Sequence, residues 1–303
     1  MGVMERFFGR RKHDDPESAP VVNTALQNPP SLQVLFAEPV QFDPAALTQT
    51  LQSYHPSLSG ATFELDPGLT EKGTPLGLVG WGEHVVQVVG FDVPMPEQVL
   101  ELCVQPAHYG AELKAAARAH KAHVLLYYGG LATDPLERYV ALAVVAGVLA
   151  THGALVVLNE AGHTSFPAEA LTASEGDMLE QLRTFPILAL YCGFVKYDVE
   201  GVKGVWMRTY GGQVMGLPDL ATLAEGHHRG QAIFELFSNI YNYLRSSGTR
   251  FAAGHTMQVG ADLFLRLRSP TSEEYFLDSP GELFVAEMIS TDEINRPRPA
   301  PGR

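Results

Sequence analysis

Apolar residues recur along this chain at two spacings, and the switches between them set out its elements. Short apolar runs bounded by Gly, Pro or Asp predict strands over 32–37, 61–65, 76–81, 85–91, 124–128 and 154–158. Between them, helical spacing predicts helices over 44–54, from 97 to a break near Pro106, over 110–121 and over 135–152. Asp43-Pro44 and Asp134-Pro135 open two of these, since the carboxylate accepts from free N–H groups and Pro has no N–H to leave unpaired. Gly82-Glu83 marks a hairpin turn. The strand–helix–strand–strand–helix–strand order predicts a ferredoxin-like split unit. The run 124–158 predicts a βαβ crossover and hence a parallel pair. The fold class expected is α+β: mixed sheets with ferredoxin-like split units and one βαβ crossover.

Later in the chain the pattern predicts a polar helix over 174–182, a hairpin of strands 187–197 and 202–210 around Glu200-Gly201, and strands over 256–259, 263–267 and 282–288. The stretch 201–254 is the most distinctive. Val205, Met207 and Thr209 alternate with Trp206, Arg208 and Tyr210, so one strand face carries large amphipathic groups. Gly211-Gly212 and Gly216 permit positive φ, and Pro218 with Asp219 reads as a helix entry. Beyond Glu225-Gly226-His227-His228, the residues Ile233, Leu236, Phe237, Ile240, Tyr241 and Leu244 form one helical face, stopped at Gly248.

These residues also carry a resemblance. The run Trp206-Met207-Arg208-Thr209-Tyr210-Gly211, then Gly216-Leu217-Pro218-Asp219-Leu220 and Ala253-Gly254-His255-Thr256-Met257, resembles the bacterial family catalogued as domain of unknown function 4261. In that family a Thr-x-Gly turn and a Gly-x-Pro-Asp/Glu element precede a long helix and a glycine-ended turn into a strand. The resemblance is drawn over roughly 32–290, and it implies a fold and a bacterial source rather than a mechanism. It carries no catalytic residue across.

Composition narrows the function classes. The chain has 303 residues, 46% hydrophobic and 18% charged, enough for a substantial core. Its net charge of −13 argues against nucleic acid and favours a basic protein partner. Cys103 and Cys192 are too few and too far apart for a disulfide framework, so a buried thiol is expected in each half, in a reducing cytoplasm. The most apolar run, 139–150, is too short to span a bilayer. Residues 1–30 read as a disordered tail and linker. Within it Met4, Phe7 and Phe8 share one side, and Arg10, Arg11 and Lys12 offer weak contact with an anionic membrane surface. The expected division continues with α+β portions over 31–185 and 186–290, packed as one globule, and a disordered tail over 291–303.

Candidate chemistry is sparse. The loop Asn159–Ser165 follows the second strand of the predicted βαβ unit, where open α/β sheets bind ligands. Asn159, Glu160 and His163 are its ligand-binding candidates, with acid–base capacity in Glu160 and His163. Trp206, Arg208, Tyr210 and Gln213 are partner-binding candidates, because aromatics and Arg dominate protein contact sites. Gly211, Gly216, Pro218 and Asp219 form a structural turn motif. No Cys pair or His-x-x-x-His face indicates a metal, no Gly-x-Ser-x-Gly elbow indicates a serine nucleophile, and no cofactor motif is present. The reading is a cytoplasmic bacterial protein-binding or immunity-type adaptor without catalysis. The alternative is a small-molecule-binding or hydrolytic enzyme using Asn159–Ser165, with His255 as a further candidate.

Overall fold

In a computed structural model, the chain is described over residues 22–66, 75–173 and 176–294, and it divides between Phe185 and Pro186 into two compact units. The first unit contains β1 (Ser31–Phe36), α1 (Pro44–Tyr54), β2 (Thr62–Leu65), β3 (Leu76–Trp81), β4 (His84–Phe91), α2 (Glu97–Val104), α3 (Ala111–Arg118), β5 (Ala122–Tyr128), α4 (Pro135–Ala150), β6 (Ala154–Asn159), β7 (Thr164–Pro167) and α5 (Met178–Thr184). Its strands form one sheet in the order β2-β3-β4-β5-β1-β6-β7. Every pairing in it is antiparallel.

β1 is buried from Leu32 to Phe36 on both faces, as a central strand covered on each side must be. Leu35, Val156 and Leu158 pack against α2 and α3 through Leu100, Cys103 and Ala117. α4 lies against β1, β4, β5 and β6, and twelve of its residues are buried. That near-continuous apolar surface explains why its periodicity is weak and its burial high. Asp43 and Asp134 cap α1 and α4 as expected, their carboxylates accepting from Ala45 and Ala46 and from Leu136.

The βαβ expectation needs one correction. β5 and β6 run in the same direction, but both pair antiparallel with β1, which lies between them. α4 therefore joins a split pair, not adjacent parallel strands. The local pattern determines the direction of the crossover and cannot exclude a strand arriving from earlier in the chain. Two tail boundaries also move. Asn23 donates its backbone N–H to the Gly129 carbonyl (2.7 Å), and the Pro30 carbonyl accepts from Tyr128 (3.0 Å), so the linker expected through Pro30 is docked from Asn23 onwards. Thr291–Ile294 forms a helical turn where a tail was expected. The basic segment at 1–12 and residues 295–303 lie outside the described residues.

The second unit contains β8 (Gly193–Tyr197), β9 (Val205–Tyr210), β10 (Asp219–Ala224), α6 (Gly230–Ser247), β11 (Thr256–Gln258), β12 (Leu263–Arg268) and β13 (Leu283–Ser290). Their order is β11-β12-β13-β10-β9-β8, and the central pair β10/β13 is parallel. α6 buries Ile233, Phe237, Ile240, Tyr241 and Leu244, and Gly248 closes it in a left-handed conformation. One expected strand is shorter, since Ile187–Leu190 is a helical turn ahead of β8. Another was missed. The Pro218-Asp219 passage opens no helix, because residues 219–222 pair with β9 and β13 and are buried between them.

Candidate functional site

β9 reverses into β10 through a short turn, Gly212–Met215, bracketed by Gly211 at φ 86° and Gly216 at φ 70°. Only glycine takes such angles at low cost. No atom lies within 4 Å of a Cβ built on Gly216, so the dihedral angle alone requires glycine there. At Gly212 space also decides, since a Cβ would stand 2.8 Å from the Tyr241 hydroxyl and 2.9 Å from Asp219 Oδ1.

The turn closes on the Asp219 carboxylate, which is only 1% exposed. Oδ1 accepts the Gly212 N–H (3.0 Å) and the Thr209 hydroxyl (3.1 Å), while Oδ2 accepts the Ser279 hydroxyl (2.9 Å). Tyr241 of α6 donates to the Pro218 carbonyl (2.9 Å), and its oxygen lies 2.8 Å from Thr209 Oγ1. Burial raises the Asp219 carboxyl above its ordinary value, against the pull of the Gly212 N–H, Ser279, Arg208 and Thr209. This carboxylate ties β9, the turn and the 279 loop together beside Tyr241. Asp219, expected as a helix-start charge, is instead an interior staple.

The surface expected from Trp206 and Arg208 is core. Trp206 is 3% and Arg208 0% exposed, because the segment 271–282 covers that sheet face. Phe276 sets its ring 5.5 Å from Trp206, and Arg208 Nη1 donates to the Asp278 carbonyl (3.1 Å). The Arg208 guanidinium also lies 3.9 Å from the Tyr210 ring centre. Tyr210 and Gln213 are half-buried. Alternation placed these residues on one face correctly, but it could not show that a segment seventy residues later covers that face.

Asn159–Ser165 is a tight hairpin between β6 and β7, with Asn159 paired to Thr164. Asn159 is buried, and its Oδ1 accepts the Gly162 N–H (3.1 Å). Glu160 is exposed and accepts from Gln33 Nε2 at 3.4 Å, and His163 occupies the turn at φ 48°. Ser165 is buried, donating to the Cys103 carbonyl (2.9 Å) with the Tyr109 hydroxyl at the same distance. The three predicted ligand residues thus share one tight turn, in which Asn159 is engaged by the backbone and Glu160 by Gln33. Both thiols are buried, and burial pushes that of Cys103 up to about 12. His120 is likewise committed: its Nε2 accepts the Met95 N–H (2.7 Å), so its Nδ1–H donates to the Ala117 carbonyl (2.6 Å).

A site that sequence reasoning missed lies on the second sheet. A groove of about 590 Å³ is floored by Trp206, Val285 and Ile289, with Leu223 45% exposed within it. Along its wall Arg268 forms a fork on Glu274 (2.6 and 2.6 Å) and donates Nε to Glu287 (2.7 Å). Arg266 grips Glu287 through Nε and Nη2 (3.1 and 2.9 Å). Hydrogen bonds from Arg268 hold Glu274 below the usual carboxylate range. For Glu287 desolvation acts upward, but the Arg268 and Arg266 bonds prevail and lower it. These groups are thus mutually fixed by hydrogen bonds across neighbouring elements. The available signal was the alternation Leu263-Phe264-Leu265-Arg266-Leu267-Arg268, which puts two arginines on one strand face.

Residues 208–283 match the family described as Domain of unknown function (DUF4261). The match runs from the buried Arg208 to Leu283 and includes Asp219, α6 and the covering segment, a narrower span than the 32–290 drawn from the motifs. No curated protein and no solved structure matches this chain.

Proposed function

We propose that this chain is a bacterial cytoplasmic protein-binding module of adaptor type, acting without catalysis through the groove around Leu223. The observation that carries the reading is that groove: a half-exposed leucine above a buried apolar floor, walled by an arginine–glutamate lattice already ordered. Contact sites of this kind combine an apolar centre with a polar rim and need little reordering on binding. The chain's −13 charge favours a partner bearing basic residues and disfavours nucleic acid. The enzyme alternative draws little support from Asn159–Ser165, since Asn159 and Ser165 serve the hairpin and the interior. Among the described residues no helix is long and apolar enough to cross a membrane.

A photo-cross-linking residue at position 223, expressed in the native host, tests the reading. A discrete adduct that disappears when Arg266→Glu breaks the wall is expected. The same adduct from a probe at the exposed Tyr275, or no adduct at 223, would remove the groove as the contact site.

A further inference from the structure

The second sheet ends on β11, and among the described residues no strand pairs with its outer edge. In the pairing of β11 with β12, His255, Met257 and Val259 face Leu267, Leu265 and Leu263. The Leu267 N–H donates to His255 (2.9 Å) and the Val259 N–H to Leu263 (2.9 Å), so the odd-numbered residues direct their backbone groups towards β12. Antiparallel geometry then directs the N–H and C=O of Thr256 and Gln258 outward. Both residues are exposed, and the Gln258 side chain folds back onto the Gly260 and Ala261 carbonyls (3.0 and 3.3 Å), leaving the edge uncovered.

Natural edge strands are usually blunted by Lys, Pro or an inward charge. Here Thr256-Met257-Gln258-Val259-Gly260-Ala261 carries no charge and no proline. An apolar surface adjoins it. Met257, Leu265 and Met288 form one row across three strands, and Leu263 stands beside them opposite Val259. Met288 is 37% and Leu263 39% exposed. A groove of about 660 Å³ opens next to the strand, lined by Tyr243, Phe251, Met257 and Leu267.

We infer that β11 pairs antiparallel with β11 of a second copy about a two-fold axis at Met257, joining two sheets into one. The edge is complementary to itself. With Met257 opposite Met257, the outward N–H and C=O of Thr256 meet those of Gln258 in the second copy, and the reverse pair forms by symmetry. A heterologous strand would satisfy the same backbone groups, but the lack of charge along the edge selects a partner that is itself uncharged there, as a second copy is. Met257 sits at a non-hydrogen-bonded position, where facing side chains come closest, so its apolar row continues across the axis. The contact is short and the chains are strongly acidic. The dimer is therefore weak, and salt strengthens it by screening repulsion between the two copies.

Cysteine substitution tests this register directly, since the two native thiols are buried. Met257→Cys places two sulfurs within disulfide reach across the axis, and mild oxidation should convert most of the chain to a covalent dimer. Thr256→Cys alone should remain monomeric, whereas a mixture of Thr256→Cys and Gln258→Cys chains should cross-link. Tyr275→Cys, on an exposed residue far from the edge in sequence, reports random collision. For the parent chain, sedimentation at rising concentration should show a monomer–dimer shift that 0.5 M salt enhances (about a threefold shorter screening length than at 0.05 M) and that Met257→Lys abolishes. Equal cross-linking at 275 and 257, stronger cross-linking of Thr256→Cys alone than of the mixture, or a dimer unchanged by Met257→Lys would each overturn the inference.

Discussion

Replacing Asp219 separates a staple from a mere charge. In Asp219→Ala the Gly212 N–H, held in a rigid turn, loses its acceptor in the interior, which costs about 1–3 kcal/mol. The Thr209 and Ser279 hydroxyls lose bonds to a charged acceptor worth about 1.5–3 kcal/mol each. They recover part of this, because Thr209 already lies 2.8 Å from the Tyr241 oxygen and Ser279 is only half-buried. Relief from burying a carboxylate offsets more, leaving a net loss of about 3 kcal/mol. In Asp219→Asn the amide oxygen keeps the Oδ1 bonds, and its NH2 faces a Ser279 hydroxyl that can accept instead, so the loss is about 1 kcal/mol or less.

The pH dependence follows from the direction of the Asp219 shift. Its folded value is raised by burial, so its contribution is complete below the ordinary carboxylate range and is lost as pH rises through the folded value. Asn has no such titration, and the advantage of the parent over Asp219→Asn should shrink between acid and neutral pH. The assay is urea unfolding followed by Trp206 fluorescence in a Trp81→Phe background, which isolates the second unit. Loss in the alanine variant below 1 kcal/mol, an asparagine variant as damaged as alanine, or an advantage that grows with pH would refute the reasoning.

Three further outcomes follow. Gly216→Val should cost about 2 kcal/mol through its φ of 70° alone, and Gly216→Asn less than half of that, as read by the same unfolding assay. Glu274→Gln should cost about 1 kcal/mol at neutral pH, a value already discounted for its partly exposed Arg268 partner. Because the folded value of Glu274 is depressed, its contribution is present above the ordinary carboxylate value, and the difference should vanish as pH falls through the folded one. A chain begun at Ser31 should melt about 4 °C below one begun at Val22, since it lacks the Asn23 and Pro30 bonds to 128–129; equal melting temperatures would show that this docking contributes nothing.

What the sequence determined by itself was local. The Asp-Pro starts of α1 and α4, the Gly82 hairpin, the buried face of α6 and its Gly248 stop all follow from interactions within one or two turns of chain. The left-handed angles of Gly211 and Gly216 were legible for the same reason. Partners distant in sequence were decided by tertiary structure. β1 inserts between the strands that α4 joins, from about ninety residues upstream, and no periodicity in 122–159 records its arrival. Pro218-Asp219 reads as a helix entry until β13 pairs with 219–221 and β9 with 221–224, when pairing outweighs the weak local preference. Trp206 and Arg208 read as a contact surface until residues 271–282 fold over them and desolvate them. The groove arises the same way, since Leu223, Arg266 and Glu287 lie on three strands and share a surface only once the sheet has ordered them.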